Sequence, residues 1–343
     1  MKNKYNRVMF VTNSLSGGGA ERATNILVNA LTDLGLQVSL VAINSGAPDL
    51  IKPKCQTFEL KREWQGGLLS VLAAYFKLQS VIWKWKPSYL VLNCDIPELL
   101  GSLSLGKHKL IAVEHATFPW INRIRLGKVT RKILSARNTK WVAVSEHLKI
   151  WGVEKHPDIA IHNAIVTPKV NRPKPMGQIT RLNYVGRLSQ EKQPLWALEI
   201  AHLVNLPLRI FGEGLLRTQL EDFGTENRIE TQFAGFVSNP WEFFDEGDLL
   251  IVPSSFEGDG LVLVEALSNQ IPMIVNHIPD LRRFSLEDKN YAANIVDFSN
   301  SIVSNLNTIE NFLPKESIRD GILENRDPEV VGQRWKTFLN SLT

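Results

Sequence analysis

Cysteine is scarce in this chain: Cys55 and Cys94 are the only two in 343 residues. That is too few for a disulfide framework or a cysteine zinc site, and a reducing compartment fits best. No run reaches the roughly 20 uninterrupted apolar residues of a membrane-spanning helix; the closest, Leu68 to Phe76, is stopped by Lys77. The apolar run Val8–Val11 behind the basic N-terminus is too short for the core of a signal peptide and is expected to be a first strand. Repeats at solenoid spacing and low-complexity tracts are missing, which excludes a repeat array. Acid is missing from one long stretch: residues 121–140 hold Arg123, Arg125, Lys128, Arg131, Lys132, Arg137 and Lys140 and no Asp or Glu.

At 44% hydrophobic and 22% charged, the chain is globular, and its length allows two domains, each with its own core. Charge divides unevenly: residues 1–165 carry 22 Lys and Arg against 11 Asp and Glu, and residues 166–343 carry 17 against 24. A basic half joined to an acidic half points to domains with different partners. Short β-branched or apolar runs such as "NRVMFVTN", "QVSLVAI", "YLVLN", "LIAVEH" and "WVAVS" alternate with helical patterns, which predicts a parallel sheet covered by helices. The alternation breaks at "NAIVTPKVNRPKPMGQITR" and restarts with "LNYVGR", "LRIFG", "TQFAG", "DLLIVP" and "PMIVN". The expected division is a first domain over 1–165, a linker over 166–180, a second domain over 181–325 and a terminal helix over 326–343. Two Rossmann-like units leave a cleft between them, a usual place for a ligand.

Three motifs carry candidate chemistry. Gly17, Gly18 and Gly19 follow the first strand and open an amphipathic helix, where backbone amides can meet a phosphate or a sugar; a tight strand-to-helix turn is the alternative. A nicotinamide site is excluded, because Arg22 stands where a third glycine should be and "VAIN" lacks the acid that would hold a ribose. Arg187 and Lys192 lie five positions apart on one strand-to-helix loop, suited to neutralising a diphosphate by bidentate and point-charge contacts; a solvated charged loop is the alternative. Glu257 and Glu265 flank "GDGLVLV", one on a loop and one in the helix behind it. They face one polar ligand from two directions, or cap and solvate the helix.

These blocks, in this order, resemble the donor domain of glycosyltransferase family 4: "VGRLSQEK", "FGEG", "FAGFVSNP" and the E-x7-E motif ending "EGDGLVLVEAL". In the first half, "SLSGGGAERATNILVNAL" and "AVEHATF" are similar to that family's glycine-rich first loop and to the block carrying its active-site histidine. The resemblance implies an α/β protein of the GT-B class, with two Rossmann-like βαβ domains facing each other across a cleft and the terminal helix crossing back to the first. It implies a retaining transferase of hexosyl or N-acetylhexosaminyl groups, with a nucleotide sugar as co-substrate, uridine diphosphate as the expected carrier and no metal required. Within it, Glu265 holds the ribose and Glu257 lies near the transferred sugar. Arg187 and Lys192 stabilise the departing diphosphate, and His115 serves the active site. Gly18, Gly19, Gly212, Glu213, Gly260 and Leu261 are placed around the donor, and Phe236 near the base. Asp259 departs from the usual apolar residue; it either reads a donor hydroxyl or is solvated, which leaves donor identity open. Fixed cations and helix-end donors can stabilise a departing diphosphate without a metal, and no D-x-D motif occurs.

The acid-free segment, flanked by Trp120 and Trp141, reads as a basic amphipathic helix on an anionic membrane surface, with Arg123, Arg125, Lys128, Arg131 and Lys132 as the contacting residues; a solvated helix packed in its domain is the alternative. No nucleic-acid motif accompanies it. The sequence thus leads to a bacterial enzyme that extends a lipid-linked glycan, such as a lipopolysaccharide precursor, peripherally bound at the cytoplasmic face of the membrane. Its rivals are a soluble enzyme that acts on a small acceptor or epimerises a nucleotide sugar, and a non-catalytic sugar-binding protein.

Overall fold

A computed structural model describes residues 7–15, 18–45, 51–62, 67–117, 119–121, 123–166, 175–284 and 286–342. In chain order the elements are β1 (Arg7–Thr12), α1 (Gly19–Asp33), β2 (Gln37–Asn44), β3 (Gln56–Arg62), α2 (Leu68–Trp85), β4 (Tyr89–Asn93), α3 (Asp95–Ser102), β5 (Lys109–Glu114), α4 (Ile124–Ala136), β6 (Lys140–Ala143) and β7 (Ile159–Ala160). They continue with β8 (Arg181–Val185), α5 (Pro194–Val204), β9 (Leu208–Phe211), α6 (Arg217–Glu226), β10 (Thr231–Gly235), β11 (Asp248–Val252), α7 (Leu261–Ser268), β12 (Met273–Asn276), α8 (Pro279–Arg282), β13 (Tyr291–Ala292), α9 (Ile295–Ser304), α10 (Glu316–Glu324) and α11 (Pro328–Ser341).

The chain divides into two compact units, Met1–Val166 with Asn325–Thr343 and Thr167–Glu324. The linker prolines Pro168 and Pro173 lie outside the described residues. Each unit carries one sheet of parallel strands, as the βα alternation predicts. The strand orders are β3-β2-β1-β4-β5-β6-β7 and β10-β9-β8-β11-β12-β13. Both orders reverse direction beside the first strand, between β1 and β4 and between β8 and β11. In such sheets that reversal, at the carboxyl ends of the strands, is where ligands bind. β3 was not among the expected strands: "QTFELKR" alternates polar and apolar residues at a sheet edge, where only Leu60 and Arg62 are buried.

In the first unit the sheet is packed on both faces. One apolar layer joins Phe10, Val28, Leu31 and Val91 to Trp335, Phe338 and Leu339 of α11, and Phe10 and Trp335 meet edge to face at 5.9 Å. Tyr89 adds a buried bond from its hydroxyl to the Leu339 carbonyl. The other layer joins Met9, Val41 and Leu90 to Leu78 and Ile82 of α2, Ile96 and Leu100 of α3 and Leu134 of α4. In the second unit Leu182, Tyr184, Ile210 and Ile251 pack under Ala197 and Leu198 of α5 and Phe298 and Ile302 of α9. Among the described residues no helix is long and apolar enough to cross a membrane.

Candidate functional site

Polar side chains collect at the carboxyl ends of the strands in the second unit. Lys192 sits just beyond the β8 turn and reaches the loop after β11, where its ammonium group lies 2.6 Å from Glu257 Oε1. The same oxygen accepts from the Ser254 hydroxyl at 2.8 Å, while the Glu257 N–H donates to Asp280 of α8. Glu257 is 8% exposed, so this is a partly desolvated, charge-assisted contact stronger than a surface pair. Arg187, exposed on the loop after β8, is the second cation of the "GRLSQEK" turn.

The helix α7 starts at Leu261, with Gly260 at its cap in the left-handed region, φ 64°. A side chain there would also crowd the Phe284 ring at 3.1 Å, so glycine is favoured twice over. Glu265, half-buried in α7, accepts from the Trp241 indole at 3.3 Å. Asp259 is buried, 3.7 Å from Arg283, whose guanidinium also donates to the Gly258 carbonyl. Of the two alternatives at this position, solvation is therefore corrected: the carboxylate is enclosed because an arginine balances its charge. Gly212, after β9, has φ 149°, and a Cβ there would fall 1.9 Å from the Gly186 carbonyl oxygen, so this turn admits glycine alone. Glu213 beside it pairs with Arg217, and Phe236 is exposed.

The first unit has its own strand-end cluster. Gly18 caps α1 with an extended backbone, and Gly19 opens the helix; Gly17 lies outside the described residues. His115 follows β5, and its Nε2 lies 3.3 Å from Asn93 Oδ1. Asn93 in turn donates to Thr24, and Asn13, after β1, approaches Asp95 at 3.4 Å. Between Asn93 and Asp95, Cys94 is held at φ 77° and ψ −179°, a region essentially reserved for glycine, and such strain collects at functional sites. Thr24, Asn93, His115 and His162 border one small cavity. The sequence points to His115 and the glycines but not to Asn93, Asp95 or Thr24. The overlooked signal was a polar residue closing "VTN" and "VLNCD" just where parallel strands end.

Two expectations about the basic segment are corrected. Arg131 is not on the surface: it is fully buried, bonded to Glu98 at 2.7 Å and also paired with Glu114 and with the Trp151 carbonyl. Trp120 and Trp141, expected at a membrane interface, are interior, and the Trp120 indole donates to Glu98. The cause is charge: two carboxylates from α3 and β5 require a cation between them, and Arg131 supplies it. Burial pushes the Glu114 carboxyl up to about 7 against the opposing pull of Arg131. Arg123, Arg125, Lys128 and Lys132 are exposed, and so are Ile121, Ile124, Leu126 and Val129 beside them. Among the described residues no group of three His, Cys, Asp or Glu is arranged to hold a metal ion.

Residues 174–316 match the family model described as glycosyl transferases group 1, and the second unit is a domain of that family, carried on a GT-B fold. A poly(ribitol-phosphate) alpha-N-acetylglucosaminyltransferase of Staphylococcus aureus is 23% identical over 198 residues, 53% of this chain but 38% of that protein. A Campylobacter jejuni alpha-1,4-N-acetyl-D-galactosaminyltransferase, named for a diNAcBac-PP-undecaprenol-linked GalNAc acceptor, is 23% identical over 76% of each chain. Among solved structures, TarM of S. aureus, in complex with Fondaparinux, alpha-GlcNAc-glycerol and UDP, superposes with a TM-score of 0.74 at 12% identity, covering 98% of this chain and 100% of that one. HepE of Anabaena, in complex with UDP and glucose, gives 0.73 at 14% identity, covering 98% and 99%.

Proposed function

We propose that this protein is a retaining glycosyltransferase that moves a hexosyl or N-acetylhexosaminyl group from a UDP-sugar to a lipid-linked glycan, without a metal, at the cytoplasmic face of the membrane. The observation that carries the reading is the Lys192–Glu257 pair, set beside Arg187 and ahead of the α7 cap in a domain of the group 1 family. As a sugar–phosphate bond opens, negative charge grows on the departing diphosphate. Lys192, held by Glu257, and the amide donors at the start of α7 are fixed in place to meet it, and Arg187 is a second cation on the same loop. Glu265 holds the ribose and Glu257 lies beside the sugar, its charge already balanced by Lys192. The relatives named for UDP and for an undecaprenol-linked acceptor support the choice of donor and acceptor.

The direct test mixes the protein with nucleotide sugars and a polyprenyl-diphosphate glycan in vesicles, and follows nucleotide release and product stereochemistry. A UDP-sugar should be consumed with retention, at full rate in excess chelator. Complete dependence on added magnesium overturns the metal-free reading. Release only with a water-soluble acceptor overturns the lipid-linked one, and binding without release overturns catalysis.

The membrane reading rests on the helices that cover one face of the first sheet. α2 exposes Leu68, Leu69, Leu72, Phe76 and Trp83, and α4 exposes Ile124, Leu126 and Val129 together with Arg125, Lys128 and Lys132. Apolar side chains interleaved with cations suit the headgroup region of an anionic bilayer. With Arg131 excluded as a core residue, the informative variant combines Arg125→Glu, Lys128→Glu and Lys132→Glu. At about 1 kcal/mol for each cation near the surface, losing three should weaken vesicle binding about 100-fold or more. Co-sedimentation should show the wild type pelleting with anionic but not neutral vesicles, and the variant staying in solution while still binding nucleotide. A wild type that ignores vesicles of every charge removes the membrane from the proposal.

A further inference from the structure

We infer that Arg283 is a positioning residue: it holds the backbone from Gly258 to Gly260, and with it the first amides of α7, in line with the departing diphosphate. The inference rests on the reading that this helix end faces a nucleotide sugar, and it follows from how two segments run side by side beyond the sheet. β11 and β12 pair in parallel, with Val252 opposite Val275 at their ends. Beyond that last pair, side-chain contacts carry the register on to the helix. The Asn276 amide donates to the Pro253 and Ser254 carbonyls at 3.3 and 3.0 Å. The Glu257 N–H donates to Asp280 at 2.8 Å. Arg283 then reaches two residues at once, donating to the Gly258 carbonyl at 3.3 Å and lying 3.7 Å from the Asp259 carboxylate. The Phe284 ring closes the row against Gly260. Bonded partners along this row stay 22 to 25 residues apart in the chain, close to the offset of the strand pairs themselves.

The clamping segment is itself fixed on both sides of Arg283. Leu281 and Phe284 are buried, and the Tyr291 hydroxyl donates to the Leu281 carbonyl at 3.2 Å while accepting from the Leu286 N–H at 3.1 Å. The Arg283 guanidinium lies 4.7 Å over the Phe284 ring, a contact that favours one placement of its long side chain. The held segment needs such support. Gly258 and Gly260 flank Asp259, and glycines leave a backbone free to pivot. Asp259, 5% exposed, gives the guanidinium a carboxylate to hold where an apolar side chain would give it none. A shift of about 1 Å at the helix start would carry its amides off the growing charge, and misplacement on that scale costs on the order of 100-fold in rate. Arg283 therefore acts through the cap of α7.

The test compares the full chain with Arg283→Met, Asp259→Leu and the double variant. Hydrogen exchange read by mass spectrometry should rise in Arg283→Met over residues 256–266, while α5 and α9 keep their wild-type protection. A side chain that merely stabilised the domain would raise exchange throughout it. In turnover of a UDP-sugar, kcat of Arg283→Met should fall about 10- to 100-fold, and KM for the donor should move less, because aligned amides act most strongly on the charge of the transition state. Asp259→Leu breaks the same contact from its other end. The double variant should therefore lose less than the product of the two single losses. Wild-type exchange in Arg283→Met, a rise spread over the whole second unit, or single losses that multiply would each overturn the positioning assignment. A wild type that releases no nucleotide from a UDP-sugar overturns the transferase reading instead. The exchange data need no turnover and keep those two failures apart.

Discussion

Lys192→Ala should lower the rate of nucleotide release at least about 100-fold while the protein still folds, the scale expected when one fixed charge donor is removed from a transition state. Two losses combine in this variant. The departing diphosphate loses a cation held by an ion pair at 2.6 Å, and Glu257, 8% exposed, loses the charge that balances it. The Ser254 hydroxyl remains on Glu257 Oε1, and Asp280 still anchors the backbone of that residue. The loop therefore stays in place, and the defect should fall on turnover more than on folding. Glu265→Gln and Arg187→Ala should each reach a similar loss. Single-turnover assays with a UDP-sugar, beside melting curves, measure both quantities. Near wild-type rates in all three variants would remove the donor-site assignment.

The part of this site legible in the sequence is the part written within a few residues of itself. Arg187 and Lys192 share one loop, and Glu257 and Glu265 share one loop and helix, so spacing alone brought them forward. Trp241 and Asp280 were not legible, because each reaches its glutamate from a different element, 24 and 23 residues away in the chain. The same limit explains the surface that was read into residues 121–140. A count of charge along the chain finds no acid there, but the carboxylates that claim Arg131 lie 33 and 17 residues upstream, on α3 and β5. The two sheets were easier to read. Parallel strands buried on both faces leave nearly continuous apolar runs such as "VMFV" and "LLIV", whereas β3, at an edge and half polar, leaves none.

Arg131→Met should destabilise the first unit by about 3–5 kcal/mol, the usual cost of removing one partner from a buried ion pair. The side chain of Arg131 is fully buried, and its guanidinium meets Glu98 and Glu114 at 1% and 0% side-chain exposure, with the Trp141 and Trp151 rings within 6 Å. Methionine fills the space but leaves two buried carboxylates facing each other without a cation. The deficit should depend on pH in a definite direction. Burial already raises Glu114 from its ordinary value to about 7, and loss of Arg131 removes the contribution that holds it down. A carboxyl whose folded pKa is raised stabilises the native state below its unfolded pKa, and that contribution is lost as pH rises through the folded value. The variant should therefore recover part of its stability between pH 7.5 and pH 5, where the native state can take up protons that the unfolded chain binds weakly. Urea unfolding followed by tryptophan fluorescence at both pH values measures this, because Trp120, Trp141 and Trp151 all surround the site. A variant as stable as the wild type at pH 7.5, or one whose deficit grows on acidification, would show that the triad is not the electrostatic centre of this unit.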